Sequence, residues 1–206
     1  MGDQAGGATA LLWSVTAMSD TAARLAQVRA ADQPRAFAVI GEAVWWVTIV
    51  DATLVRHHPD AYDDVMAGQG LAQRRLIEET LGGLRFVRNR IGDEADLAEF
   101  IQPRRPGYRT SEVPITAWTW KLVPQPASGP LTPRGRAWEM TRYQAYLARL
   151  AGRAIGETFG CTAAFLTMAA ARIPTATDDA ARASLLAAPP GFAQSPGHED
   201  SQPAGA

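Results

Sequence analysis

The stretch LIEETLGGLRFVRNRIGD, Leu76 to Asp93, decides how the chain is read. Its apolar residues Ile77, Leu81, Leu84 and Ile91 recur every three or four positions, the spacing of one face of an α-helix. Arg88 fills the one slot in that stripe where a leucine would continue it. A helix over Leu71 to about Ile91 is predicted, led into by a loop that starts after the preceding helix and runs through Gly68-Gln69-Gly70.

The same period extends outward. Leu11, Leu12, Val15, Met18, Ala22, Leu25 and Val28 predict a first helix over about Ala8–Ala30, after a Gly-rich flexible stretch at 1–7. Asp32-Gln33-Pro34 marks a stop and a restart, because proline is favoured in a helix's first turn. A second helix follows over about Pro34–Arg56, with Phe37, Ile40, Val44, Val47, Leu54 and Val55 on its buried side, and HHPD ends it. A short helical turn is expected around Asp93–Ile101. Between 103 and 133 repeated prolines forbid a long helix, and the period-two pair Trp118 and Trp120 in VPITAWTWKLV reads as a short strand or hairpin arm. Thr132-Pro133 should cap a long final helix over about Arg134–Arg172, with an amphipathic turn at Asp178–Ala187. The Pro/Gly/Ser-rich segment 187–206 is expected to be disordered. The fold class is therefore all-α: one domain over 8–186, an antiparallel four-to-five-helix bundle with a Pro/Trp-rich insertion at 103–133 that holds a short β-hairpin arm.

In that final helix Ala148, Gly152, Gly156, Gly160 and Ala164 recur every fourth residue. Each glycine costs about 1 kcal/mol relative to alanine in a helix, so the ridge implies close approach of a second backbone. Two partners fit: another helix of the same chain, or the same helix of a second subunit in a homodimer.

Composition excludes several classes. With 47% hydrophobic and 20% charged residues the chain has the make-up of a soluble globular protein. A net charge of −1 gives no global attraction to nucleic acid or anionic membrane, and no DNA-binding motif is present. All but one of the basic residues are Arg, Lys121 being the exception, a skew that fits a GC-rich, bacterial genome. A single cysteine, Cys161, suits a reducing cytoplasm and a buried, inert thiol. Three histidines and no metal-ligand spacing point to no metal and no cofactor. His57-His58 reads as a helix C-terminal pair favoured by the dipole. No basic leader opens the chain, and the apolar run Ala154–Ala171 carries Glu157, so no membrane partner is expected. GGLRFVRNR lacks the lysine and preceding strand of a phosphate loop.

A guanidinium on an apolar face keeps its proton and must find an acid or an anionic ligand. Asp51, set among Val47, Thr48, Leu54 and Val55, is equally out of place, and Glu42 and Glu157 are further candidates. Two readings stay open. Arg88 and Asp51 form an ion pair that fixes helix register, or Arg88 and Asn89, with Arg85, Asp51, Glu42 and Trp45 nearby, present donors to a phosphate or a base edge.

Arg88-Asn89-Arg90-Ile91-Gly92-Asp93 resembles the R-N-x-x-x-H motif of the HEPN superfamily, with GGLRFVRNRIG leading into it and GEAVWWVTIVD before it. That resemblance implies an antiparallel helical bundle, commonly dimeric around the motif. Many members are metal-independent ribonucleases or bind RNA and nucleotides. Arg88 and Asn89 match the family's pair, while Asp93 stands where the histidine would. A carboxylate is ionised near neutral pH and repels a phosphodiester, so the resemblance implies RNA or nucleotide binding more than cleavage. The alternative is a non-catalytic interaction or dimerisation protein with Arg88 in a structural pair. A third reading is a small-molecule pocket lined by Trp45, Trp46 and Trp118. The arginines 104, 105, 109, 134 and 136, among Tyr108, Trp118, Trp120 and Trp138, are either a single-strand surface or the pins of a coil on the bundle.

Overall fold

The computed structural model describes residues 2–29, 31–93, 96–104, 118–125 and 132–173, without the side chains of 2–8, 92–93 and 133. The turn expected at Asp178–Ala187 and the tail at 187–206 lie outside these residues, as do Arg105, Tyr108 and Arg109.

The described chain is a helical bundle with one small hairpin. Helix α1 (Gly2–Leu25) starts ahead of the expected Ala8, through the stretch read as flexible, and packs on α2 (Gln33–His57). Between them the Asp32 side chain accepts from the Arg35 N–H at 3.3 Å, with Pro34 inside the first turn. Residues read as a loop form a further helix, α3 (Pro59–Ala67). His58-Pro59 ends one helix and starts the next, since proline serves the first turn of α3 as readily as it blocks continuation of α2. Then comes α4 (Leu71–Asp93), followed by a 3-10 turn at Leu97–Glu99.

Strand β1 (Ile101–Pro103) pairs antiparallel with β2 (Trp118–Trp120), in the register Ile101 opposite Trp120 and Pro103 opposite Trp118. Both tryptophans of β2 are anchors. The Trp120 indole donates to Thr158 Oγ1 at 3.0 Å, and that of Trp118 to the Arg29 carbonyl at 3.3 Å. Each buried indole N–H thus has an acceptor, as burial of a polar atom requires. The Tyr146 hydroxyl donates to the Lys121 carbonyl and that of Tyr143 to Val123, so the hairpin is pinned to the bundle.

The single long helix expected over 134–172 is two helices, α5 (Pro133–Arg149) and α6 (Ile155–Ala170). Gly152 takes a φ of +76°, which glycine adopts without steric cost. Its N–H donates to the Trp120 carbonyl at 2.9 Å, while the Trp120 N–H donates to Arg153 at 3.0 Å. The break therefore adds its backbone to the hairpin. The ridge is interrupted at Gly152, which is a turn, whereas Gly156 and Gly160 are buried in α6, within the chain's own core. That helix is the centre of the bundle and touches α1, α2, α3 and α4.

A close helix approach is made at Gly82 and Gly83 of α4. A Cβ on Gly83 would lie 2.7 Å from Leu150 Cδ1 and 3.1 Å from Tyr146 Cα. These glycines admit the α5 backbone, which runs antiparallel to α4, with Glu79 meeting Arg149 at one end and Arg90 within 3.8 Å of Glu139 at the other. Among the described residues α2 alone is long and apolar enough to cross a membrane, and half of that stretch is buried inside the bundle.

Candidate functional site

The rotation of α4 decides the site. Its fully buried residues are Ile77, Leu81, Leu84, Phe86 and Val87. Because α5 closes on the Gly83–Phe86 side, the buried arc turns towards Val87 and away from Arg85 and Arg88. Both arginines consequently sit on the flank facing α2.

The carboxylate that the sequence assigns to Arg88 belongs to Arg85. Asp51, only 1% exposed, receives the Arg85 Nε at 2.6 Å on Oδ2 and Nη2 at 2.8 Å on Oδ1, a two-pronged pairing. The Tyr62 hydroxyl of α3 donates to the same Oδ1 at 3.4 Å. Burial pushes the Asp51 carboxyl up, against the pull of Arg85, Tyr62 and Arg142. Burial and the neighbouring carboxylate likewise raise the Tyr62 hydroxyl, so it stays a donor. The register-fixing pair of α2 and α4 is thus Asp51–Arg85, three residues before the expected Arg88.

Arg88 is half-buried with its Cζ 5.0 Å from the centroid of the Trp45 ring, a cation–π contact between α4 and α2. Among the described residues no carboxylate accepts from it. Trp45 remains 50% exposed, and Asn89 is exposed on the next position of α4. Helical spacing puts Asn89 one turn beyond Arg85 on the outer side of α4. Glu42 is not part of this group: it pairs with Arg24 of α1 on the surface. Asp93 closes α4, and its side chain lies outside the description. The structure therefore brings together Arg85 and Asp51, and separately Arg88 and Trp45, while Glu42, Gly152, Gly156 and Gly160 lie elsewhere.

Beside Arg85 a groove of about 870 Å³ runs between α4 and α5, lined in part by Gly82, Arg85, Trp138, Thr141, Arg142 and Ala145. Arg142 is half-buried, with its Cζ 5.5 Å from the Trp138 ring centroid. Burial, then the Arg85 charge, lowers its pKa. Sequence reasoning missed Arg142 and Tyr62. The signal for Arg142 was present, because Tyr143, Tyr146 and Leu150 mark the buried face of α5 and place it at the edge. Tyr62 sat in a segment read as loop.

The remaining candidates separate. Trp118 is in the core, Trp46 lies beside α1 with Thr21 and Arg24, and Trp45 meets Arg88, so the three share no pocket. Cys161 is half-buried near Gln73, and burial pushes its thiol up. Burial and His57 lower the pKa of His58. Among the described residues no three His, Cys, Asp or Glu side chains are grouped to hold a metal ion.

Compared with protein-family models, curated proteins and solved structures, the chain matches none.

Proposed function

We propose that this chain binds RNA, one nucleotide unit at a time, on the α2–α4 face that carries Trp45, Arg88 and Asn89, and does so without cleaving it. The observation that carries this reading is Arg88: a guanidinium half-buried on an indole, with no acid on it among the described residues. Its N–H groups remain suited to a phosphate, the exposed part of Trp45 offers a stacking surface, and Asn89 can donate to and accept from a base edge. The likeness of Arg88-Asn89 to the HEPN motif supports the same ligand class. Binding without cleavage follows from Asp93, because a carboxylate in the histidine's place supplies no proton near neutral pH and repels the phosphodiester.

The test is fluorescence anisotropy with a single-stranded RNA oligonucleotide. Arg88→Ala should weaken binding about tenfold or more, as expected for the loss of a charge-assisted contact, while the melting temperature barely moves. Wild-type affinity in that variant would sink the reading. A large fall in melting temperature with binding unchanged would make Arg88 a pin between α2 and α4 and favour an interaction protein.

A further inference from the structure

The groove between α4 and α5 carries a second, independent site. Its volume of about 870 Å³ falls in the range of roughly 300–1,000 Å³ that small organic ligands occupy. Gly82, Ala145 and Ala148 form a surface with almost no side chain, and Trp138, 58% exposed, supplies an aromatic wall. Such a lining accepts a flat apolar body.

The charges along this groove are unequally satisfied. Arg75 bonds Glu79 at 2.7 Å, Glu78 bonds Arg74 at 3.0 Å, and Arg85 holds Asp51. Arg142 is the exception: its guanidinium lies against Trp138 and beside Arg85, it feels the Asp51 charge only at a distance because Arg85 takes both Asp51 oxygens, and among the described residues no carboxylate accepts a hydrogen bond from it. A guanidinium cannot answer burial by losing its proton. An incoming carboxylate offsets that partial desolvation and meets the planar fork that Arg presents. Arg85 and Arg142 share the single Asp51 carboxylate, and the one positive charge left over calls for one negative charge. A second would approach Glu78 and Glu79, which line the same groove.

We infer that the α4/α5 groove binds a small organic monoanion, a carboxylate on a planar apolar body, with the carboxylate held by Arg142 and the ring packed against Trp138 and over Gly82 and Ala145. This goes beyond the RNA reading and does not rest on it: the groove uses side chains of α5 that the Trp45–Arg88 face does not.

Calorimetric titration of the full chain with naphthoate and its neutral isostere naphthamide tests the assignment. Naphthoate should bind about tenfold tighter than naphthamide, equivalent to ~1.4 kcal/mol. Arg142→Gln should bring naphthoate down to the naphthamide level, and Trp138→Ala should weaken both. Arg142→Lys keeps the charge but loses the fork, and should fall between wild type and Arg142→Gln. Equal affinity for the two compounds, no binding of naphthoate at millimolar concentration, or naphthoate binding untouched by Arg142→Gln and Trp138→Ala would each overturn the proposal. Because no RNA is used, failure of this experiment leaves the RNA reading standing, and failure of the RNA experiment leaves this one standing.

Discussion

Replacing Gly83 by alanine tests the contact that sets the rotation of α4. The added methyl would sit 2.7 Å from Leu150 Cδ1, 3.1 Å from Tyr146 Cα and 3.3 Å from Tyr146 N. Favourable carbon contacts lie at about 3.5–4.0 Å, so something must move by several tenths of an ångström. Leu150 is fully buried and Tyr146 contributes backbone, so relief requires α5 to shift as a body. Alanine gains about 1 kcal/mol of helix propensity over glycine, while overpacking of a filled core costs about 1–3 kcal/mol. With two backbone atoms among the obstacles the upper part of that range applies, and the net loss should be about 1–2 kcal/mol. For a chain of this size that lowers the melting temperature by about 2–8 °C. Gly82→Ala is the control, since its Cβ would meet only the Ala145 methyl, at 3.2 Å. One methyl against another is relieved by a small tilt, and the propensity gain should leave this variant within about 0.5 kcal/mol of wild type. Thermal and urea denaturation of both variants give the comparison. A Gly83→Ala protein as stable as wild type, or more so, would refute the close α4–α5 approach and with it the reason given for the outward turn of Arg85 and Arg88.

Two further outcomes follow from the same site. The folded-state pKa of Asp51 is raised by burial, so its contribution to stability is fully present below the unfolded aspartate value of about 4 and is lost as pH rises through the folded value. The stability difference between wild type and Asp51→Asn should therefore shrink as pH rises from the acid side, read from urea midpoints at each pH; a difference that grows would show that the Arg85 attraction outweighs burial. Asp93→His introduces a residue type that can exchange protons near neutral pH; if the face is a nuclease site that has lost its base, this variant should cleave an RNA oligonucleotide on a gel where wild type does not. Intact RNA with the variant would count against that ancestry.

Much of the architecture was legible along the chain. Three-to-four spacing marked α1, α2 and α4 because each helix buries one stripe, and the period-two Trp118–Trp120 marked a strand because its alternate side chains enter the core. Proline at 34 and 133 marked helix starts for a purely local reason, the absence of an N–H where none is needed. The presence of a misplaced acid at Asp51 was legible too. Its partner was not: Arg85 and Arg88 differ by less than a helical turn, and either could reach α2.

That choice belonged to the tertiary structure. Periodicity gives the stripe of a helix but not its rotation against two unequal neighbours, and here α5, admitted by Gly82 and Gly83, turned Arg85 onto Asp51 and left Arg88 on Trp45. Gly152 made the same point in the backbone. Glycine is compatible with a continuing helix and with a left-handed turn, and only the hydrogen bonds offered by Trp120, thirty-odd residues upstream, selected the turn. The chain by itself determined most helical segments, the short α3 excepted, because that information is carried by residues within a few positions of one another. Which faces meet, which charges pair and where the last helix breaks were decided by groups far apart in sequence, whose relative placement exists only once the bundle has formed.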